Sequence, residues 1–264
     1  MQLIEPFVRE VGAGPGVVCV HSNASSSSQW RALMNHLAPR FHVLAADTFG
    51  AGKSPAWPTD QTVTLRDEVA LLEPVMARAG DPFALVGHSY GAAVALLAAL
   101  QQPHRIRCLV LYEPTLFALL DAESPPPNDA EGIRQTVASA ALDLVAGNRG
   151  AAAERFIDYW MGTGTWAHMP ELRRTPIEAS IVNVQGWASA LFEEATPLSA
   201  FGALKVPVLL LIGKDSPVSS RGVARLLAQA LPNLQVIELA GLGHMGPITH
   251  PEIVNEAIEA FLVS

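Results

Sequence analysis

Short apolar runs that alternate with stretches of helical spacing restrict this chain to few architectures. Four runs come early: GVVCVH (16–21), FHVLAAD (41–47), PFALVGH (82–88) and IRCLVLYEP (106–114). Each is brief and bounded by polar or turn-forming residues, as buried strands are. Between them, QWRALMNHLAP (29–39) sets Trp30, Leu33, Met34 and Leu37 at helical spacing and stops at Pro39. TLRDEVALLEPVMARAG (64–80) reads as a helix, with Gly80 as its stop and Pro74 as the place for a kink. YGAAVALLAALQQ (90–102) is a helix of alanine and leucine. From 115 to about 203 the rhythm breaks into helical patterns with Gly/Pro punctuation, including SPPPND (124–129), and no buried strand is read. It resumes as strand VPVLLLIG (206–213), helix SRGVARLLAQAL (220–231), strand LQVIELAG (234–241) and helix PEIVNEAIEAFL (251–262). Strands alternating with helices build a parallel sheet covered on both faces. The middle stretch is a helical insertion into that plan.

Composition agrees. The 264 residues suit one large domain, or a domain with an insertion. Half are hydrophobic and 16% are charged, so a sizeable core is expected and disorder is not. The formal net charge of −8, with no Lys/Arg run, disfavours binding to nucleic acid or to an anionic membrane. Cys19 and Cys108 lie inside apolar runs and read as buried thiols, not a disulfide or a metal site. No secretory signal and no apolar run of membrane-spanning length is read, and the cytoplasm is the expected location.

DTFGAGKSP (47–55) raises the question of a nucleotide. A phosphate-cradling loop needs G-x-x-x-x-G-K-[ST] between a strand and a helix. Asp47 stands where the first glycine belongs, and its carboxylate would repel phosphate. Pro55 and Pro58 follow at once, so no long helix offers its N-terminus. The stretch is read instead as a strand-to-loop connection, with Asp47 closing the strand and tight turns at Gly50 and Gly52.

ALVGHSYGAAV places Gly87-His88-Ser89-Tyr90-Gly91 between an apolar strand and a helix of small residues. G-x-S-x-G in that context holds the serine on a sharp, strained turn. The flanking glycines leave room where a side chain would collide with neighbouring elements. The hydroxyl then projects above the carboxyl edge of the sheet, toward the positive end of the next helix.

With this motif the chain resembles the α/β-hydrolase family. The resemblance runs from VVCVHSNASSSSQW through DTFGAGKSP and GHSYG to GLGHMGP, in the family's order and over nearly the whole chain. It implies an α/β fold with a mostly parallel, eight-stranded sheet flanked by helices. It also implies a core domain of residues 1–114 and 204–264, with 115–203 inserted as an α-helical cap or lid.

The resemblance implies roles as well. Ser89 is the nucleophile and needs a neighbouring base. His244 follows the last strand in a glycine-rich loop, where the family puts its catalytic histidine. His88, inside the nucleophile turn, reads as structural, and His21 as a brace beside the oxyanion loop. The acid is open between two residues. The family acid holds the fourth place of G-x-x-D after the strand that follows the cap. Counted from Gly213, that place is Ser216, and Asp215 comes one residue early. Glu113 ends the strand after the nucleophile helix, where haloalkane dehalogenases take their acid, and a glutamate there needs a buried partner. Either carboxylate would fix the imidazole's tautomer and stabilise its charged form. The oxyanion hole is expected from the backbone N–H groups of Tyr90 and Asn23, with Ser22 where the family commonly has glycine.

The expected function is a serine hydrolase that cleaves a carboxylic ester or related acyl bond through an acyl-enzyme. The expected substrate is a small molecule, an apolar acyl ester, with no cofactor and no metal. Phe117, Trp160, Trp166, Trp187 and Phe192 offer the cap apolar surface. Dehalogenase and epoxide hydrolase chemistry would call for an aspartate at position 89. A carbon–carbon bond hydrolase of ring-cleavage products is an alternative, although a tryptophan usually follows the histidine there and Met245 does here. A non-catalytic ligand-binding protein of the same fold is another.

Overall fold

The computed structural model describes residues 5–58 and 62–264. Strands β1 (Val8–Val11) and β2 (Gly16–Val20) are followed by helix α1 (Arg31–Leu37), strand β3 (His42–Ala46) and helix α2 (Leu65–Ala79). Then come β4 (Phe83–His88), α3 (Tyr90–Gln101) and β5 (Ile106–Tyr112). Six helices follow: α4 (Ala118–Glu123), α5 (Glu131–Val145), α6 (Arg149–Met161), α7 (Thr165–His168), α8 (Glu171–Ser180) and α9 (Val184–Phe192). The sheet resumes with β6 (Val208–Gly213), α10 (Val218–Ala230) and β7 (Leu234–Leu239), and the chain closes with α11 (Gly246–Thr249) and α12 (Pro251–Val263).

The sheet runs in the order β1-β3-β2-β4-β5-β6-β7, and only β1 is antiparallel to its neighbour. Successive side chains on a strand point to opposite faces. In the central strands both faces are covered, so their positions are almost all apolar. Val18, Val20, Leu85 and Leu111 pack with α2 and α3 on one side. Val17, Cys19, Val86 and Val110 pack with Leu33 and Leu37 of α1 and Ile258 of α12 on the other. Helix α3 is buried all round from Tyr90 to Ala99, as a helix without a polar face must be.

One expectation needs correction. Seven strands, not eight, are present among the described residues. The chain turns from β1 into β2 through Gly12 and Gly14, both at positive φ, which leaves no chain between them for a further strand. β1 itself escapes a search for apolar runs, because it is four residues long and partly exposed. Pro74 does not break α2, which continues through it from a capping box at Thr64 and Asp67 to Gly80. The carbonyl that loses its donor belongs to Ala70, on the exposed side of the helix.

Topology places the site. From β2 the sheet extends one way to β3, and from β4 it extends the other way through β5, β6 and β7. Ligands of open α/β sheets bind at the carboxyl ends of the strands where the order reverses. The loop after β2 carries Asn23 and the turn after β4 carries Ser89. Residues 47–55 form a turn with no helix behind it. The Asp47 carboxylate accepts the backbone N–H of Ser27 at 2.6 Å and of Lys53 at 2.9 Å, so it organises this loop from within.

Glu68 of α2 is fully buried and ties that loop to α3. Its carboxylate accepts the Phe49 N–H at 3.1 Å and the Tyr90 hydroxyl at 3.3 Å. Burial pushes its carboxyl from 4.5 up to about 8, against a smaller opposing pull from those two hydrogen bonds. The native state therefore holds a proton that the unfolded chain has released over this interval. The associated stability is present below about pH 4.5 and is lost as pH rises to about 8. Glu68→Gln is expected to flatten this slope, so denaturant midpoints at pH 5 and pH 9 should differ less in the variant than in the parent.

Candidate active site

Ser89 caps α3 with φ 56° and ψ −116°, a backbone conformation that L-residues rarely adopt. Its N–H donates to the Tyr112 carbonyl at 2.9 Å, which holds the turn against β5. The flanking glycines are required by contact. A Cβ on Gly87 would stand 2.5 Å from the Ala92 Cα, and one on Gly91 would run into the carbonyl oxygens of Val20 and His21. Close packing of α3 on β2 thus sets the height of the serine above the sheet.

His244, on the loop between β7 and α11, meets this serine. Its Nδ1–H donates to Glu113 Oε2 at 2.6 Å, which leaves Nε2 to accept the Ser89 hydroxyl at 2.9 Å. Glu113 is fully buried, and its other oxygen accepts the Gly213 N–H at 2.7 Å and the Ser216 hydroxyl at 2.5 Å. Three donors on one carboxylate offset the cost of burying it.

The acid facing the imidazole is therefore Glu113, and Asp215 is not in contact with it. Asp215 is exposed, and among the described residues its carboxylate has no hydrogen bond or ion pair. Only its backbone N–H is engaged, with the Leu242 carbonyl at 3.0 Å. A one-residue shift has turned its side chain away. Ser216, at the place where the family resemblance expects an aspartate, supplies a donor to Glu113 instead of a carboxylate.

Strain gathers here. Among the described residues, the non-glycine residues at positive φ are Ala24 (53°), Ser89 (56°) and Glu113 (45°). They lie just beyond β2, β4 and β5, and each such conformation costs roughly 1–3 kcal/mol.

A buried polar chain joins the three loops. The N–H and hydroxyl of Ser22 both donate to Gln29 Oε1, at 3.2 and 2.9 Å. Gln29 Nε2 donates to His88 Nδ1 at 3.0 Å, and His88 Nε2–H donates to the His244 carbonyl at 2.8 Å. Burial, followed by the neighbouring His244, drives the His88 pKa well below its ordinary value, so this ring serves as a neutral strut. His21 braces the loop after β2: its Nδ1–H donates to the Ser22 carbonyl at 2.7 Å and its Nε2 accepts the Thr48 N–H at 3.1 Å. Burial lowers its pKa as well. Gln29 carries no motif in the sequence, and its role arises only from this chain. The hydroxyl of Ser22 explains why a side chain stands where a glycine was expected.

Asn23, Ser89 and His244 open on one cavity of about 750 Å³. Among the described residues, the backbone N–H groups of Asn23 and Tyr90 donate to no protein acceptor. The far wall comes from the helices between β5 and β6, with Phe156, Trp160, Ile177, Trp187 and Phe192 making it apolar. The Trp160 ring lies over the His244 ring, with centroids 4.0 Å apart and planes 27° from parallel. Among the described residues, no group of three or more His, Cys, Asp or Glu side chains could hold a metal ion. Glu113→Gln is expected to lower kcat about 10⁴-fold. Asp215→Asn should stay within about threefold of the parent, and steady-state hydrolysis of a p-nitrophenyl ester separates the two.

A family model described as alpha/beta hydrolase fold matches residues 15–251. The chain is 27% identical to a 2-(acetamidomethylene)succinate hydrolase from Mesorhizobium japonicum, over 97% of this chain and 90% of the relative. It is 26% identical to a pimeloyl-[acyl-carrier protein] methyl ester esterase from Chromobacterium violaceum, over 97% of both. Among solved structures, a thermophilic esterase from Thermogutta terrifontis superposes with a TM-score of 0.74 at 26% identity, covering 97% of this chain and 92% of the esterase.

Proposed function

This chain belongs to the alpha/beta hydrolase fold family, and we propose that it is a serine hydrolase cleaving a carboxylic ester or related acyl bond through an acyl-enzyme. The reading is carried by the unbroken hydrogen-bond chain from Ser89 Oγ through His244 to Glu113, which opens on a cavity. In this mechanism Ser89 Oγ bonds to the acyl carbon as its proton passes to His244 Nε2. Glu113 stabilises the imidazolium through Nδ1–H. The N–H groups of Asn23 and Tyr90 receive the charge that develops on the carbonyl oxygen, and one such donor is worth about 10²–10³ in rate. The imidazolium then gives its proton to the departing alkoxide. Water repeats the sequence on the acyl-enzyme, with His244 as base, and releases the acid and the free serine.

In this reading residues 115–203 act as a cap over a core of 1–114 and 204–264. The acyl group sits against the apolar wall that the cap provides. The free, buried thiols of Cys19 and Cys108 agree with work in the reducing cytoplasm. No helix among the described residues is long and apolar enough to cross a membrane.

A second reading concerns the substrate. Two relatives are named as hydrolases of substituted methylenesuccinates, which carry carboxylates. The charged side chains lining the cavity among the described residues are Arg31 and Arg173, and no acid joins them there. This favours a substrate with a carboxylate at the cavity mouth, on the same catalytic relay. A carbon–carbon bond hydrolase would use that relay too.

The first test is a fluorophosphonate probe. It should label Ser89 in the parent and fail in Ser89→Ala, and an unlabelled parent would mark the chain as a non-catalytic binding protein. p-Nitrophenyl esters of rising chain length then measure the apolar site. If the second reading holds, Arg173→Ala should raise KM for a carboxylate-bearing ester several-fold and leave that of a neutral ester unchanged.

A further inference from the structure

We propose that Trp160 is a positioning residue for the base: its indole face holds the His244 imidazole and stabilises the cation formed when Ser89 gives up its proton. The inference rests on the reading of His244 as base. It adds a role for a side chain that would otherwise count as lining of the cavity.

Trp160 is on α6, far from His244 in sequence, and is 7% exposed. A centroid distance of 4.0 Å at 27° is a stacked contact. It sets the imidazole on the electron-rich face of the indole, where a flat cation is attracted by the ring quadrupole. Nearby aromatic pairs do meet edge-on or tilted. Tyr159 meets Trp160 at 86°, and Phe156 meets Trp160 at 68°. Among the described residues Trp160 thus has edge neighbours that fix its plane and one stacked partner, the imidazole. The Tyr159 hydroxyl bonds Ser219 of α10 at 2.8 Å, which anchors this turn of α6 to the sheet domain.

The other polar groups around the imidazole are accounted for. From the end of β5, Glu113 takes the Nδ1 proton. From the β4–α3 turn, Ser89 faces Nε2 and the His88 ring lies 5.1 Å away, neutral by burial. The Tyr112 hydroxyl is spent on the Gly243 carbonyl at 2.7 Å. On α6 itself, the Asp158 carboxylate accepts the N–H groups of Gly164 and Trp166, at 2.7 and 2.8 Å. Replacing Trp160 leaves all of these in place.

The cation exists only after the proton has moved from Ser89 Oγ to Nε2 and before Nε2 passes it to the leaving group. A contact that favours the cation therefore lowers the barrier more than it stabilises the resting site. Losing the contact should lower the plateau of kcat/KM roughly 10- to 30-fold. It should also move the acid limb of the pH profile to lower pH, because a base with a less stable cation stays neutral further into acid.

The experiment compares Trp160→Phe, which keeps a ring face, with Trp160→Leu, which does not, on a p-nitrophenyl ester from pH 4 to 9. The Phe variant should stay within about threefold of the parent with an unmoved limb, and the Leu variant should show both changes. Fluorinated tryptophans placed at position 160 weaken the ring face at constant shape, so they read the same effect where the Leu variant fails to fold. Activity should fall stepwise with each added fluorine. A flat fluorine series overturns the proposal, as does an equal loss in Phe and Leu with an unmoved limb. His244→Ala is assayed in parallel: inactive, it leaves the base assignment standing whatever Trp160 does, and active, it removes that assignment and the stack with it.

Discussion

The buried pair of Glu113 and His244 is the contact on which the rest of the site depends. A carboxylate with no exposed surface is tolerated only where donors surround it, and here they come from three places: the imidazole, the end of β6 and the loop after it. Satisfying Glu113 therefore pins the carboxyl ends of β5 and β6 to the His244 loop. The left-handed backbone at Glu113 is the cost of aiming its side chain at that meeting point. Once the imidazole is fixed, only one ring nitrogen remains to face the serine.

A second, neutral network holds the same loops by other means. Ser22, Gln29 and His88 pass hydrogen bonds from the loop after β2, through the turn between β4 and α3, to the backbone of His244. Each atom in that chain has its partner, so burial strengthens it. The Glu113 carboxylate fixes the tautomer of the imidazole, and the second chain sets where the imidazole, the serine and the Asn23 N–H stand relative to one another. The segment between β5 and β6 adds the apolar wall and the Trp160 face, so both halves of the chain shape a single cavity.

Much of this is legible in the order of residues alone. The strands covered on both faces read as unbroken apolar runs, and the Gly-x-Ser-x-Gly turn between a strand and a helix is a pattern of neighbouring residues. Asp47 and the prolines that follow dismiss the phosphate-loop look-alike at 47–55, and the Asp47 carboxylate does turn inward to its own loop. What escapes such a reading is of two kinds. β1 is too short and too exposed to carry a periodic signal. Gln29 and Trp160 belong to no local pattern, because their partners lie on other elements.

Local order along the chain determined the class of fold, the turn that carries Ser89 and the loop that carries His244, because period, turn chemistry and strand–helix succession are properties of adjacent residues. Only the tertiary structure decided which carboxylate meets His244. Glu113 and Asp215 lie near the ends of neighbouring strands, and the choice turns on the direction of each side chain, which the backbone angle at Glu113 and the register of β5 against β6 set together. The same holds for Trp160: its contact exists because the fold brings α6 against the His244 loop, and no spacing in the sequence encodes it.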